Sequence, residues 1–288
     1  MTATCPPSLR PELFSCLGLS DVLVIHAPTD RPEISYSVTV GPTLLEDSKP
    51  VLVDTVRKFQ KHFGQGSSRG LVYCRSHEDV EEIARLIGCE PFHAGRPLEE
   101  RETNFKNWVD GEQSFMVCSS LLGCGIDVDN VRVVMHYGTP WSILDFVQES
   151  GRAGRGGLPS WSYVFASDDE MEPSGDDLYG KQTMRKWVLQ RTDCRRTILS
   201  SFLDEGRISC TLLKQAHLCD VCKEQSKQPH PDKLVPFPSP KFPNQNGPKI
   251  RVPHIPPSSI QYARDRSTAL APETSATFFV NRAEFFSD

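Results

Sequence analysis

An α/β fold is expected over residues 41–167, a parallel sheet flanked by helices, followed by a small helical metal-binding module and a disordered tail. Three observations lead there. Short apolar runs alternate with segments of helical periodicity from about residue 49 to residue 166. Four cysteines then recur with metal-ligand spacing between residues 194 and 222. Beyond residue 225 the chain becomes proline-rich and loses hydrophobic periodicity.

The bulk numbers set limits. A chain of 288 residues can form one large domain or two small ones. Only 38% of it is apolar and it holds 23 prolines, so part of it is expected to stay unfolded. The net charge of −5 excludes a chain-wide basic signature, and any nucleic-acid contact must come from local patches. No apolar run approaches the ~20 residues of a membrane span. The opening MTATCPPSLR lacks the apolar core of a secretory signal. Ten cysteines without such a signal point to a reducing compartment.

The elements follow in order. VLVDTVRKFQKHF (51–63) carries apolar residues at helical spacing, and RGLVYC (69–74) reads as a short buried strand. Ser76, with Asp79 three residues on, starts the helix EDVEEIARLIG (78–88) in the manner of a capping box. PFHA (91–94) is a short strand and ERETNFKNWVDG (100–111) a helix. Strands follow at SFMVCSS (114–120) and VRVVMHY (131–137), then a helix from Ser142, then the strand WSYVFA (161–166). This rhythm implies right-handed crossovers, with ligands beyond the carboxyl ends of the strands. Arg75, Ser119 and Asp127 are expected at that edge, together with the arginines that end the helix from Ser142. An acidic loop (167–180) leads to two helical stretches around TMRKWVLQR and CRRTILSSFLDEG.

The helix from Ser142 runs into FVQESGRAGRGG (146–157), where Arg152 and Arg155 sit among glycines. Glycine lets backbone approach a ligand closely, and guanidinium forks suit phosphate oxygens. The alternative is a glycine-rich surface turn with solvated arginines. The pattern Gln148-x-x-Gly151-Arg152-x-x-Arg155 arises by chance in roughly one chain of this length in five hundred, which favours the phosphate reading.

QESGRAGRGG resembles motif VI of superfamily 2 helicases, and its QES opening is similar to the RecQ branch. GLVYCRS (70–76) resembles motif IV, FHAG (92–95) the segment after it, and VCSSLLGCGID (117–127) motif V. The resemblance covers most of a second RecA-like motor domain. It implies that ATP lies between two such domains, with the first supplying the phosphate loop and magnesium site. It assigns Arg155 as arginine finger, Arg152 as a second phosphate contact, and Gln148, Gly151, Gly125 and Asp127 to the nucleotide side. Arg75, Ser76, His93 and Ser119 are the implied DNA contacts, with Ser119 and Asp127 linking the cleft to the DNA track. The sequence departs from the family pattern where Gly156 replaces an aspartate and Leu122 to Gly125 replace Phe-Gly-Met-Gly.

A phosphate loop reads G-x-x-x-x-G-K-[ST]. The near match Gly175-Asp-Asp-Leu-Tyr-Gly180-Lys181-Gln182 has glutamine in place of the hydroxyl and aspartates where phosphate would sit. TATCPP (2–7) resembles motif III, and DRPEI (30–34) the family's interdomain linker. Residues 1–40 are therefore expected to be the end of a first motor domain plus linker, 41–167 the second motor domain, 168–225 the metal module and 226–288 the tail. The chain is expected to begin inside the first domain, and not to hydrolyse ATP alone.

Cys194-x₁₅-Cys210-x₈-Cys219-x₂-Cys222 supplies four thiolates, two of them on one knuckle, suited to a closed structural Zn²⁺ site. CDVC flanked by polar residues does not read as a core strand, which disfavours buried free thiols. The run CRR with the later CDVC also resembles the RecQ zinc module. Arg195 and Arg196 are either backbone-phosphate contacts or solvated, and His93 is as readily a satisfied loop histidine as a DNA contact. Trp108, Trp141 and Trp187 are expected in the core, with base-stacking platforms as the alternative.

The leading functional expectation is a RecQ-like ATP-dependent 3′–5′ DNA helicase, represented by its second motor domain and zinc module. Its partners are single-stranded or junction DNA, ATP with Mg²⁺, and a chain supplying the first motor domain, with no membrane. Two alternatives stand beside it: a non-enzymatic adaptor for nucleic acid or protein, and half of a split motor. A nuclear location follows from DNA work, otherwise a cytoplasmic one.

Overall fold

The computed structural model describes residues 4–20, 22–41, 45–63, 68–120, 128, 130–167, 177–204, 206–226 and 278–281. In chain order these form α1 (Arg10–Cys16), β1 (Val22–Ile25), β2 (Ile34–Gly41), α2 (Lys49–Phe63), β3 (Arg69–Cys74), α3 (His77–Ile87), β4 (Pro91–Phe92) and α4 (Leu98–Asp110). They continue as β5 (Phe115–Cys118), β6 (Val131–Tyr137), α5 (Ile143–Ser150), β7 (Ser160–Ser167), α6 (Lys181–Leu189), α7 (Arg195–Leu203), α8 (Asp220–Gln225) and β8 (Phe278–Asn281). Six strands make one all-parallel sheet in the order β2-β7-β6-β3-β5-β4.

Each central strand is buried on both faces, as a parallel sheet under two helix layers demands. On one face α2 and α3 contribute Leu52, Val56, Phe59, Val80 and Ile83 to a core with Val72, Val117, Val133 and Met135. On the other, Trp108, Phe146, Met184, Trp187 and Leu199 pack under Leu71, Met116 and Val134. That second core runs without a break into Cys194, Cys210, Cys219 and Cys222. The cysteine segment thus shares its interior with the sheet.

Ser76 caps α3, accepting from the Asp79 amide at 3.0 Å, and Gly88 ends that helix in the left-handed conformation. The strands 69–74 and 131–137 stand where periodicity places them. Two expectations change. Residues 34–41, expected to fall largely in the linker, form β2 and pair with β7 along its whole length, so the boundary at residue 40 cuts a strand. The pattern ISYSVTVG escaped notice because its outer edge is closed by residues from the far end of the chain. Within the tail, Phe278–Asn281 is a strand, antiparallel to β1; the rest of the tail lies outside the described residues.

Gly70 lies inside β3, and a Cβ there would stand 2.3–2.6 Å from three atoms of the Phe115 ring. That ring is fully buried and stacked on Phe63 at 5.9 Å. Gly70→Ala is expected to lower stability by about 2 kcal/mol through overpacking, measured by urea denaturation; an unchanged midpoint would show that the core here is loose.

Candidate phosphate-facing turn and cysteine centre

The Ser142 hydroxyl accepts from the Asp145 amide at 3.1 Å and starts α5. Ile143 and Phe146 anchor the helix in the core, with Phe146 and Trp187 ring centroids 4.4 Å apart. Glu149 points inward and meets His136 Nε2 of β6 at 3.1 Å, a buried polar pair that fixes helix to strand. Gln148 is exposed.

The chain then turns. The Gly154 amide donates to the Val131 carbonyl at 3.0 Å, and the Ser160 amide to the Glu33 carbonyl at 2.8 Å. Gly154 has φ +74°, and a Cβ there would stand 2.8 Å from Glu33 Cγ, so only glycine fits. Val131 and Ser160 are the first residues of β6 and β7, and Glu33 directly precedes β2. The arginine turn therefore lies at the amino ends of these strands, opposite the edge expected for it. The reason is geometric: α5 runs back along β6 and returns the chain to where the strand began.

Arg31 braces this turn. Its Nη1 donates to the Gly151 carbonyl at 2.9 Å and its Nη2 to the Ala153 carbonyl at 2.8 Å, while Nε pairs with Glu33. The two carbonyls bracket Arg152, which is only 6% exposed. The Arg152 side chain lies beside Tyr73; burial pushes that phenol well above its ordinary range, and the Arg152 charge offsets part of the push. Arg155 is half-buried at the turn's far end, before the exposed Gly156 and Gly157. Gln148, Gly151, Arg152 and Arg155 thus share the end of α5 and its turn, with Gln148 exposed and Arg152 buried. Gly125 and Asp127 lie outside the described residues.

Behind Arg31 stands Arg196, 2% exposed, which donates to the carbonyls of Arg31 (2.8 Å), Ile34 (2.5 Å), Pro32 (3.4 Å) and His217 (3.3 Å). Arg195, 1% exposed, pairs through Nε and Nη2 with both Asp220 oxygens at 2.5 and 2.8 Å and donates to the Trp187 carbonyl. Neither is solvated or open to a phosphate. Asp220 also accepts from the Val38 amide at 2.9 Å, and Lys223 Nζ lies 2.7 Å from Ser35 Oγ.

The four cysteines between these contacts are buried, and their sulfurs lie within 4.8 Å of one another. Cys194 Sγ stands 3.4 Å from Cys210 Sγ and 3.9 Å from Cys219 Sγ. Zn–S bonds of about 2.3 Å in a tetrahedron place sulfurs about 3.8 Å apart, so the spacing is compatible with a zinc site. Backbone amides of Cys210 and Cys219 point at Cys194 Sγ (3.2 Å) and Cys210 Sγ (3.3 Å), as suits negative sulfur. Hydrogen bonding with the Cys210 and Cys219 sulfurs holds Cys194 far below the ordinary thiol range.

The expected DNA contacts divide. Arg75 and Ser119 follow β3 and β5 at the carboxyl edge of the sheet. Ser76 is engaged as helix cap, its hydroxyl 2.6 Å from Asp79 Oδ2. His93 has the geometry of the satisfied loop histidine that stood as its alternative: it is 5% exposed, with Nε2 2.7 Å from Glu81 Oε1 and Nδ1 accepting from the Gly95 amide at 3.2 Å. Both ring nitrogens are committed, and Arg96 holds the Glu81 carboxyl down to about 2 by hydrogen bonding from the other side. Trp108 and Trp187 are core residues, whereas Trp141 is exposed beneath the Arg75 guanidinium.

In the near match to a phosphate loop, Gly175 lies outside the described residues. Asp177 Oδ1 accepts from the Gln182 amide at 2.7 Å, and Oδ2 from the Thr183 amide at 3.1 Å, so a carboxylate fills the helix start that phosphate would need. Sequence reasoning missed Arg31, Glu149 and the inward roles of Arg195 and Arg196. Their partners are backbone carbonyls, or groups far along the chain, that leave no local pattern.

Residues 53–157 match the family of helicase conserved C-terminal domains. The chain is 29% identical over 242 residues to a putative ATP-dependent DNA helicase Q1 of Caenorhabditis briggsae, covering 80% of this chain and 38% of that protein. It is 32% identical to ATP-dependent DNA helicase Q5 of Rattus norvegicus, over 77% of this chain and 25% of the relative. Against ATP-dependent DNA helicase RecQ of Pasteurella multocida it is 28% identical, over 79% and 36% respectively. The chain thus spans well under half the length of these relatives. With the parallel sheet and the arginine turn at the end of α5, these likenesses identify the chain as a member of the RecQ-like superfamily 2 helicases, carrying their conserved C-terminal domain.

Proposed function

We propose that this chain is the second motor lobe and zinc module of an ATP-dependent 3′–5′ DNA helicase that works on nuclear DNA. Arg155 is the arginine finger and Arg152 a second phosphate contact, with Gln148 at the nucleotide's edge. The observation that carries this reading is the turn from Gly151 to Arg155, glycine-built and clamped at two carbonyls by Arg31. Backbone held that rigidly fixes where a guanidinium points before charge develops on a transferring phosphoryl group, which is what electrostatic preorganisation requires. Arg152 lies nearly buried beside Tyr73, and the half-buried Arg155 is the more accessible of the two. Zn²⁺ would be held by Cys194, Cys210, Cys219 and Cys222 as a closed structural centre. When bound it supplies coordination that ties α7 and the segment before α8 together; Arg195 and Arg196 carry that rigidity to Asp220 and the linker.

None of the 288 residues forms a G-x-x-x-x-G-K-[ST] loop, so these residues with single-stranded DNA and Mg·ATP are expected to show no turnover above background. Adding an isolated first RecA-like domain is expected to restore ATPase, and Arg155→Ala to remove it by on the order of 10³-fold. Robust turnover by the chain alone would overturn the reading. Failure of the added domain would favour the adaptor alternative.

Arg31→Ala removes two charge-assisted hydrogen bonds and is expected to speed amide hydrogen exchange across residues 148–157 at least tenfold. Arg31→Lys should rescue this only in part, because one ammonium cannot reproduce the planar two-donor fork. Equal protection in all three proteins would show that the turn holds itself.

One zinc per chain is expected by elemental analysis, and chelation should lower the melting temperature. Structural zinc contributes on the order of 10–16 kcal/mol in small peptides, so Cys219→Ser should lose the metal and the α7–α8 fold. Equimolar zinc or an unchanged melt in that variant would exclude the assignment.

A further inference from the structure

The adjacent strands β3 and β6 send the chain in opposite directions at their carboxyl ends. After β3 it enters α3, whose Val80, Ile83 and Ala84 pack on the α2 side of the sheet. After β6 it enters α5, whose Ile143 and Phe146 pack on the other side. Divergence of this kind opens a crevice between two loops, and in open parallel sheets that crevice is where ligands bind. Arg75, the first residue after β3, stands on one lip. The other lip is the loop from Gly138 to Trp141.

Residues 131–140 are buried without exception, yet Trp141 is 53% exposed. The Arg75 guanidinium carbon lies 3.9 Å from the centre of the indole, so the pair bridges the crevice. Stacking on the ring holds the guanidinium flat and aimed. In the first turns of the two helices Asp79 lies 2.6 Å from Ser76 Oγ and the exposed Asp145 2.6 Å from Ser142 Oγ, with Glu78 exposed beside Asp79.

The geometry points to a base-stacking site for single-stranded nucleic acid in this crevice: Trp141 takes the face of an unpaired base, and Arg75 holds an adjoining phosphate. A lone ring paired with a guanidinium suits a strand offering alternating planar faces and anions, where a protein partner would need a contiguous apolar patch. Paired bases in a duplex hide their faces, so the site selects unpaired strand. This inference rests on the nucleic-acid part of the proposed function and adds to it a residue that motif reasoning had placed in the core.

The test is fluorescence anisotropy of labelled oligothymidylate and of a blunt duplex, titrated with the 288-residue chain at several salt concentrations. Trp141→Ala is expected to weaken single-strand binding by about tenfold, leave the salt dependence and the duplex affinity unchanged, and keep the wild-type melting temperature because the ring is outside the core. Trp141→Phe should recover most of the loss. Arg75→Ala should weaken binding and flatten the log–log salt slope by about 0.7, the value of one phosphate contact on a single strand. If wild-type chain binds and Trp141→Ala binds equally well, the stacking site is wrong while the helicase reading stands. If the wild-type chain binds neither ligand at low salt, the nucleic-acid reading and this inference fall together.

Discussion

A buried guanidinium that meets four backbone carbonyls and stands 5.1 Å from the centre of the Tyr36 ring is the constraint on which the rest of this structure depends. Arg196 cannot shed its charge and has almost no water, so each oxygen it meets must be held where it is. Those oxygens belong to Arg31, Pro32, Ile34 and His217, the segment entering β2 and the segment entering the cysteine knuckle. Once that backbone is fixed, Arg31 is fixed, and its own two donors fix Gly151 and Ala153. Displacing any link leaves a desolvated charge or carbonyl behind, a larger loss than the net gain from making the bond. Three regions of the chain, around residues 31–34, 151–153 and 196–217, therefore set one another's position.

The sheet was legible in the sequence because burial on both faces leaves a strong mark. RGLVYC and VRVVMHY are continuous apolar runs between turn residues, and they became central strands. The cap at Ser76 was equally plain, since hydroxyl and carboxylate lie within one turn, and the same pattern caps the helix from Ser142. The edge strand β2 was not plain. ISYSVTVG alternates weakly, and what makes it a strand is β7 on one side and Asp220 and Lys223 on the other.

The candidate site divides along similar lines. Glycine and arginine at fixed spacing announce a turn that approaches an anion, and the four cysteines announce a closed centre; both are properties of side-chain type. Where the turn sits relative to the sheet is a property of topology, and it came out at the opposite edge. For His93 two readings stood side by side, and its partners, Glu81 and the Gly95 amide, match that of a satisfied loop histidine. Trp141 was expected inside because an indole normally goes there, and nothing in GTPWS tells that the preceding ten residues fill the available space first.

The outer border of β2 carries one more implication. A parallel sheet that ends in an eight-residue strand offers unpaired backbone to any passing chain, a hazard that folds must manage. Here the border is closed by the Asp220 carboxylate on the Val38 amide and by Ser35 bonded to the Leu218 carbonyl and to Lys223. All three closures come from the short stretch on either side of Cys219 and Cys222. The cysteine knuckle is thus also a hem, and a molecule lacking the zinc proposed for it would meet its neighbours with a raw sheet margin, where aggregation would begin.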